Sequence, residues 1–206
     1  MDPGSTPCHF VPRCARDDSE GVFMRVEEDM KLDFRDVLIR PKRSEAASRS
    51  NVVLERSYTF LNSKNTWTGV PIIAANMDTT GTFSMARELS KSNCMTSLHK
   101  HYSEDQLIEF FDREKNPSCE RTFYTMGLKP ADYEKLLAVK NKVGKVTNIC
   151  IDVANGYTQY FVDHCKKMRE KFPDSTIMVG NVCTPEMVSE LLLTGTADII
   201  KIGIIK

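Results

Sequence analysis

Ile149-Cys150-Ile151-Asp152-Val153-Ala154-Asn155-Gly156-Tyr157 is the stretch whose reading decides the fold. It reads as a buried strand that ends in a carboxylate, an asparagine and a glycine and then opens a helix. A short apolar run without clean alternation is the pattern of a parallel strand covered on both faces. An isolated carboxylate is costly to bury, so Asp152 is expected at the strand's C-terminal end. In open and closed α/β folds that is the edge where ligands bind.

Working outward, the chain from Val70 onward alternates between two periodicities. Strands are predicted over 70–77, 95–98, 121–125, 146–153, 176–182 and 198–204. Helices between them carry start signals. Ser103 with Gln106 forms a capping box ahead of Leu107, Ile108, Phe110 and Phe111. Pro130 suits a first helical turn before Tyr133, Leu136, Leu137 and Val139. Tyr157, Phe161, Cys165, Met168 and Phe172 recur at helical spacing as one apolar stripe. Thr184 followed by Pro185 is a cap with a first-turn proline, ahead of Met187, Val188, Leu191 and Leu192. A strand about every 25 residues with a helix between is the rhythm of a βα barrel, with an open doubly wound sheet as the rival. No Gly-x-Gly-x-x-Gly follows a strand, which counts against the dinucleotide-fold version of that rival.

Composition narrows the class of function. The formal net charge is zero, so no electrostatic footprint argues for nucleic acid or an anionic membrane. No apolar run approaches the roughly 20 residues that span a bilayer. Residues 1–23 are rich in Pro, Ser, Gly and charge and are expected to be a disordered extension without a secretory signal, ahead of a domain over 24–206. The seven cysteines are an odd number without metal-ligand spacing, so no metal site is expected and a reduced cytoplasmic compartment is the simple reading. Cys150 is expected to pack, and Cys183 to reach solvent.

Asp152-Val153-Ala154-Asn155-Gly156-Tyr157 resembles the GMP reductase signature within the IMP dehydrogenase/GMP reductase family. Ala75-Asn76-Met77-Asp78-Thr79, His99-Lys100-His101-Tyr102 and Met178-Val179-Gly180-Asn181-Val182 accompany it in order. The similarity runs from about Met24 to Ile204, and it favours the TIM-type (β/α)8 barrel over the open sheet. Six strands are found where a closed barrel has eight, so the resemblance implies a barrel cut after about its sixth strand. The family's catalytic cysteine and the threonine that follows it are expected beyond Lys206, and Ile205 departs from the glycine expected there.

The resemblance implies NADPH-dependent reductive deamination of GMP to IMP and ammonia. In the family a cysteine thiolate attacks the purine carbon that bears the amino group, and hydride from NADPH then releases IMP. Lys100 and Asp152 match residues on the ammonia and cofactor side. Ser48, Arg49, Val153, Ala154 and Ile204 match cofactor contacts, and Asn76, Met77 and Asn181 would border the nucleotide. A homo-oligomer, a tetramer in the family, is implied for the full-length protein. The residues alone leave other roles open. Lys100 could be an exposed rim lysine, Asp152 a helix cap, Asn181 a turn residue and Met77 core, and Gly81 could admit a ligand close to the backbone. Lys201 invites a Schiff-base reading without a carbonyl pocket to support it. The alternatives are an inactive fragment with open sheet edges, an IMP dehydrogenase-like enzyme and, more distantly, a class I aldolase.

Overall fold

The computed structural model describes residue 30, residue 32 and residues 34–203. The predicted extension over 1–23 and Ile204 lie outside them. The chain divides into two compact units, residues 1–51 and 52–206. The described part of the first carries two 3-10 turns, Phe34–Asp36 and Arg49–Asn51, joined by irregular chain.

The second unit opens with an antiparallel hairpin, β1 (Arg56–Thr59) and β2 (Thr66–Gly69). A six-stranded parallel sheet follows, with its strands in chain order: β3 (Ile73–Ala74), β4 (Met95–Ser97), β5 (Thr122–Met126), β6 (Asn148–Asp152), β7 (Thr176–Val182) and β8 (Ile199–Ile202). Helices α1 (Phe83–Lys91), α2 (Glu104–Phe111), α3 (Pro130–Val143), α4 (Gln159–Lys171) and α5 (Pro185–Leu193) lie between successive strands. All six predicted parallel strands are present and form a half-barrel. The first is shorter than the prediction over 70–77, because residues 75–77 leave the ladder for the rim.

Burial explains why the Ile149 stretch is a strand without simple alternation. Ile149 and Ile151 pack into the core shared with Leu136 of α3 and Phe161 and Cys165 of α4. Cys150 instead joins a second cluster with Met95, Phe123 and Met178, flanked by Trp67, Ile73 and Ile199. Both faces are therefore apolar, as a parallel sheet inside a curled layer requires. Each fully buried large apolar side chain contributes about 1.5–3 kcal/mol, so the helix-side core dominates the cohesion of this unit.

The hairpin was not predicted. Its strands expose hydroxyls on one face, where Ser57 meets Thr68 at 2.8 Å and Thr59 meets Thr66 at 3.0 Å. On the other face Tyr58 stacks on Trp67, and Trp67 packs against the second cluster. The connecting loop docks on the N-terminal ends of β7 and β8. The amides of Asn62 and Ser63 each donate to Asp198 Oδ1 at 3.0 Å, and Asn62 Nδ2 donates to the Ala197 carbonyl at 2.7 Å.

Two helix starts differ from expectation. The Ser103–Gln106 capping box is present, with bonds of 3.3 and 2.9 Å. Thr184 occupies the N-cap of α5 but makes no side-chain cap bond. The Tyr157 hydroxyl instead holds the chain just before the helix, accepting from the amides of Cys183 and Thr184 at 2.8 Å each. Tyr157 therefore does not belong to the apolar stripe of α4, which begins after the Thr158 cap.

Candidate active-site cleft

A cleft of about 520 Å³ lies at the C-terminal ends of the strands. Asp152, Asn181, Lys201 and the β3 rim residues Asn76 and Met77 line it, with Ser97 below them. Strand alternation puts them there. Cys150, Met178 and Ile199 share one level of the inner face, and two residues further on Asp152, Gly180 and Lys201 share the next. The lower level is apolar and the upper one polar, so the cleft has an apolar floor.

Four of the predicted site residues converge here: Asn76, Met77, Asp152 and Asn181. Lys201 Nζ donates to Asn76 Oδ1 at 2.7 Å and forms an ion pair with Asp152 Oδ1. This links the rim beyond β3 to β6 and β8, so the two edges of the sheet approach across the cleft. Both members of the ion pair are partly buried, with side-chain exposures of 20% and 18%, where an unpaired charge would be costly. Asn181 is 8% exposed, yet its Oδ1 has no hydrogen-bond partner among the described residues. A buried acceptor left unmatched costs free energy that a ligand's N–H or O–H would recover.

Lys100, Val153 and Ala154, of the same unit, do not line the cleft. Lys100 is exposed beyond β4; its carbonyl accepts from Lys135 Nζ at 3.3 Å. Beside it, burial lowers the pKa of His99, whose ring stacks on Tyr102 at 4.0 Å. Val153 exchanges backbone bonds with β7, donating to the Gly180 carbonyl at 2.8 Å and accepting from the Asn181 amide at 2.9 Å. Ala154 is exposed in the loop that follows. Ser48 and Arg49 are exposed in the first unit, where the Ser48 and Ser50 hydroxyls meet at 2.8 Å. Gly81 faces protein: a Cβ there would stand 2.3 Å from the Ser97 carbonyl, so its role is a close approach to β4.

Cys150 is fully buried, and burial pushes its thiol up to about 11, which leaves it protonated and inert near neutrality. Cys183 is exposed, as expected. No group of three or more metal-ligating side chains occurs among the described residues. Nor is any helix among them long and apolar enough to cross a membrane.

Sequence reasoning missed Lys201 as a cleft residue. The signal was available in the alternation that places Ile199 and Lys201 on one face, but only strand register shows that this face is the one carrying Asp152.

The description IMP dehydrogenase / GMP reductase domain matches residues 31–205. GMP reductase 2 of Bos taurus is 53% identical over 180 residues, covering 87% of this chain and 51% of the relative. GMP reductase of Klebsiella pneumoniae is 50% identical over 181 residues, covering 88% of this chain and 52% of the relative. The chain thus spans about half the length of the curated relatives it matches. Among solved structures, the inosine 5′-monophosphate dehydrogenase of Legionella pneumophila aligns with a TM-score of 0.68 at 29% identity, covering 84% of this chain and 50% of that one. The cleft at the C-terminal edge, the parallel half-barrel and these matches agree: the chain belongs to the IMP dehydrogenase / GMP reductase family.

Proposed function

We propose that the chain carries the cofactor-facing part of a GMP reductase site, which converts GMP to IMP and ammonia at the expense of NADPH. The observation that carries this reading is the unmatched Asn181 Oδ1, buried in a cleft whose other polar groups, Asp152, Lys201 and Asn76, are mutually bonded. An acceptor in that position suits a ribose hydroxyl. Asp152 Oδ2 makes no hydrogen bond among the described residues and can accept from a carboxamide N–H. Met77, half exposed on the wall, offers a polarizable thioether to a planar ring. NADPH, bound there, supplies the hydride. The chain's own residues would hold and orient it. Lys100, exposed beyond β4 and outside the cleft lining, is assigned to the departing ammonia by the family resemblance alone. The reading includes GMP and IMP as ligands, a cytoplasmic setting and assembly into homo-oligomers.

The test follows NADPH absorbance with GMP present and measures ammonia, using the native gene product. GMP-dependent loss of NADPH with equimolar ammonia is expected from the native product, and Asp152→Asn should reduce it at least a hundredfold. Oxidation of IMP with NAD in place of that activity would overturn the reading in favour of a dehydrogenase.

A further inference from the structure

Lys201 has no part in the site assigned from the family resemblance, yet it makes the contacts that organise the cleft. Asp152 on β6 and Lys201 on β8 are separated by the whole of β7. In the ladder Asp152 pairs with Gly180, and Gly180 pairs with Lys201. At this level the intervening strand carries no side chain. A Cβ on Gly180 would stand 2.6 Å from the Lys201 carbonyl oxygen and 2.7 Å from its Cβ, closer than real Cβ atoms come. Glycine thus lets β8 sit close to β7 and leaves a gap through which the lysine reaches Asp152.

The contacts leave a defined set of groups for a ligand. Lys201 uses its N–H bonds on Asp152 Oδ1 and Asn76 Oδ1, and an ammonium has three. One N–H, Asp152 Oδ2 and Asn76 Nδ2 remain without hydrogen bonds among the described residues. Acceptor and donors on one rim complement a neutral planar group that both donates and accepts. The carboxamide of a nicotinamide and the amino-imine edge of a guanine both have that chemistry.

We propose that Lys201 is a positioning residue: by reaching across Gly180 it holds Asp152 and Asn76 as one donor–acceptor rim that binds the carboxamide of the nicotinamide cofactor. The assignment rests on reading the cleft as the cofactor side of a reductase. Lys201 acts through Asp152 and Asn76, whose side chains it keeps from turning into solvent. Gly180 makes the arrangement possible without touching the ligand.

The experiment measures dissociation constants for NADPH and for GMP separately, on the native gene product. Lys201→Met is expected to weaken NADPH at least tenfold while leaving GMP within twofold, and Lys201→Arg to restore NADPH to within about threefold. If Lys201→Met does not fold, Lys201→Gln breaks the same ion pair with a smaller change of polarity, and the same NADPH-selective loss is expected. Unchanged NADPH affinity in both variants would overturn the proposal, as would a loss confined to GMP, which would move the rim to the substrate side. If the unmodified protein binds neither nucleotide, the reductase reading fails by itself. A urea double-mutant cycle on Lys201→Met and Asp152→Asn then decides the tether. A double variant that loses less than its singles combined supports it, and strict additivity overturns it.

Discussion

The two ends of the half-barrel each hold an aspartate paired with a cation, and they use it differently. At the N-terminal end Asp198 has a fully buried side chain and accepts from Asn62, Ser63 and Ile177 amides as well as from Arg169 Nη2 at 2.7 Å. At the C-terminal end Asp152 has one oxygen on Lys201 and the other without a hydrogen bond among the described residues, beside the unmatched Asn181 acceptor. A fully matched carboxylate locks elements together. A half-matched one keeps bonding capacity for something that arrives later. The same residue type thus serves cohesion at one end and recognition at the other.

The sharpest way to break that comparison is to remove both carboxylates in turn. Asp198→Ala should cost about 3–5 kcal/mol of stability in urea unfolding, because it removes the carboxylate partner of Arg169 and the acceptor of three amides. Asp152→Asn should cost about 1 kcal/mol. Equal losses would erase the distinction between the ends.

Acid provides a second test. Burial works against ionisation of Asp198, but hydrogen bonds from Ser63, Ile177 and Arg169 outweigh it and hold the carboxyl below the usual range. Its stabilising contribution is therefore present above the unfolded-state pKa of about 3.9, and is lost as pH falls through the lower folded value. Unfolding midpoints measured from pH 5 to pH 2 should fall less steeply in Asp198→Asn than in the unmodified chain.

Smaller effects sharpen the picture at the open end. Tyr157→Phe should cost about 1 kcal/mol, since two amides at the start of α5 lose their acceptor but can turn to water. A melting temperature indistinguishable from the unmodified chain would show that the hydroxyl is dispensable. Ser103→Ala, which removes half of a capping box, should cost about 0.5–1 kcal/mol in the same melt and leave nucleotide binding unaltered.

The parts of the fold that sequence revealed are those where burial forces a pattern. β5, β6 and β7 bury apolar side chains on both faces, and the capping box before α2 needs only two side chains at fixed spacing. The hairpin escaped because its stabilising groups are exposed hydroxyl pairs and one stacked ring pair, neither of which forms an apolar run. Tyr157 was misplaced for a related reason. Its spacing from Phe161 fits the helical stripe, but Phe161 is fully buried and Tyr157 is 42% exposed, its hydroxyl turned to the neighbouring loop. For the cleft, Asn76, Met77, Asp152 and Asn181 were legible because each ends a predicted strand. Lys201 was not, since its role depends on a glycine on one strand and a carboxylate two strands away.

The hairpin also bears on the order in which the molecule can be built. Asn62 hydrogen-bonds to Asp198, 136 positions later in the chain. At roughly 5–20 residues per second, the ribosome needs on the order of ten seconds to deliver that partner. Throughout that interval the loop between β1 and β2 lacks the carboxylate to which the Asn62 and Ser63 amides donate. Closing so long a loop is slow, so this docking comes late in folding.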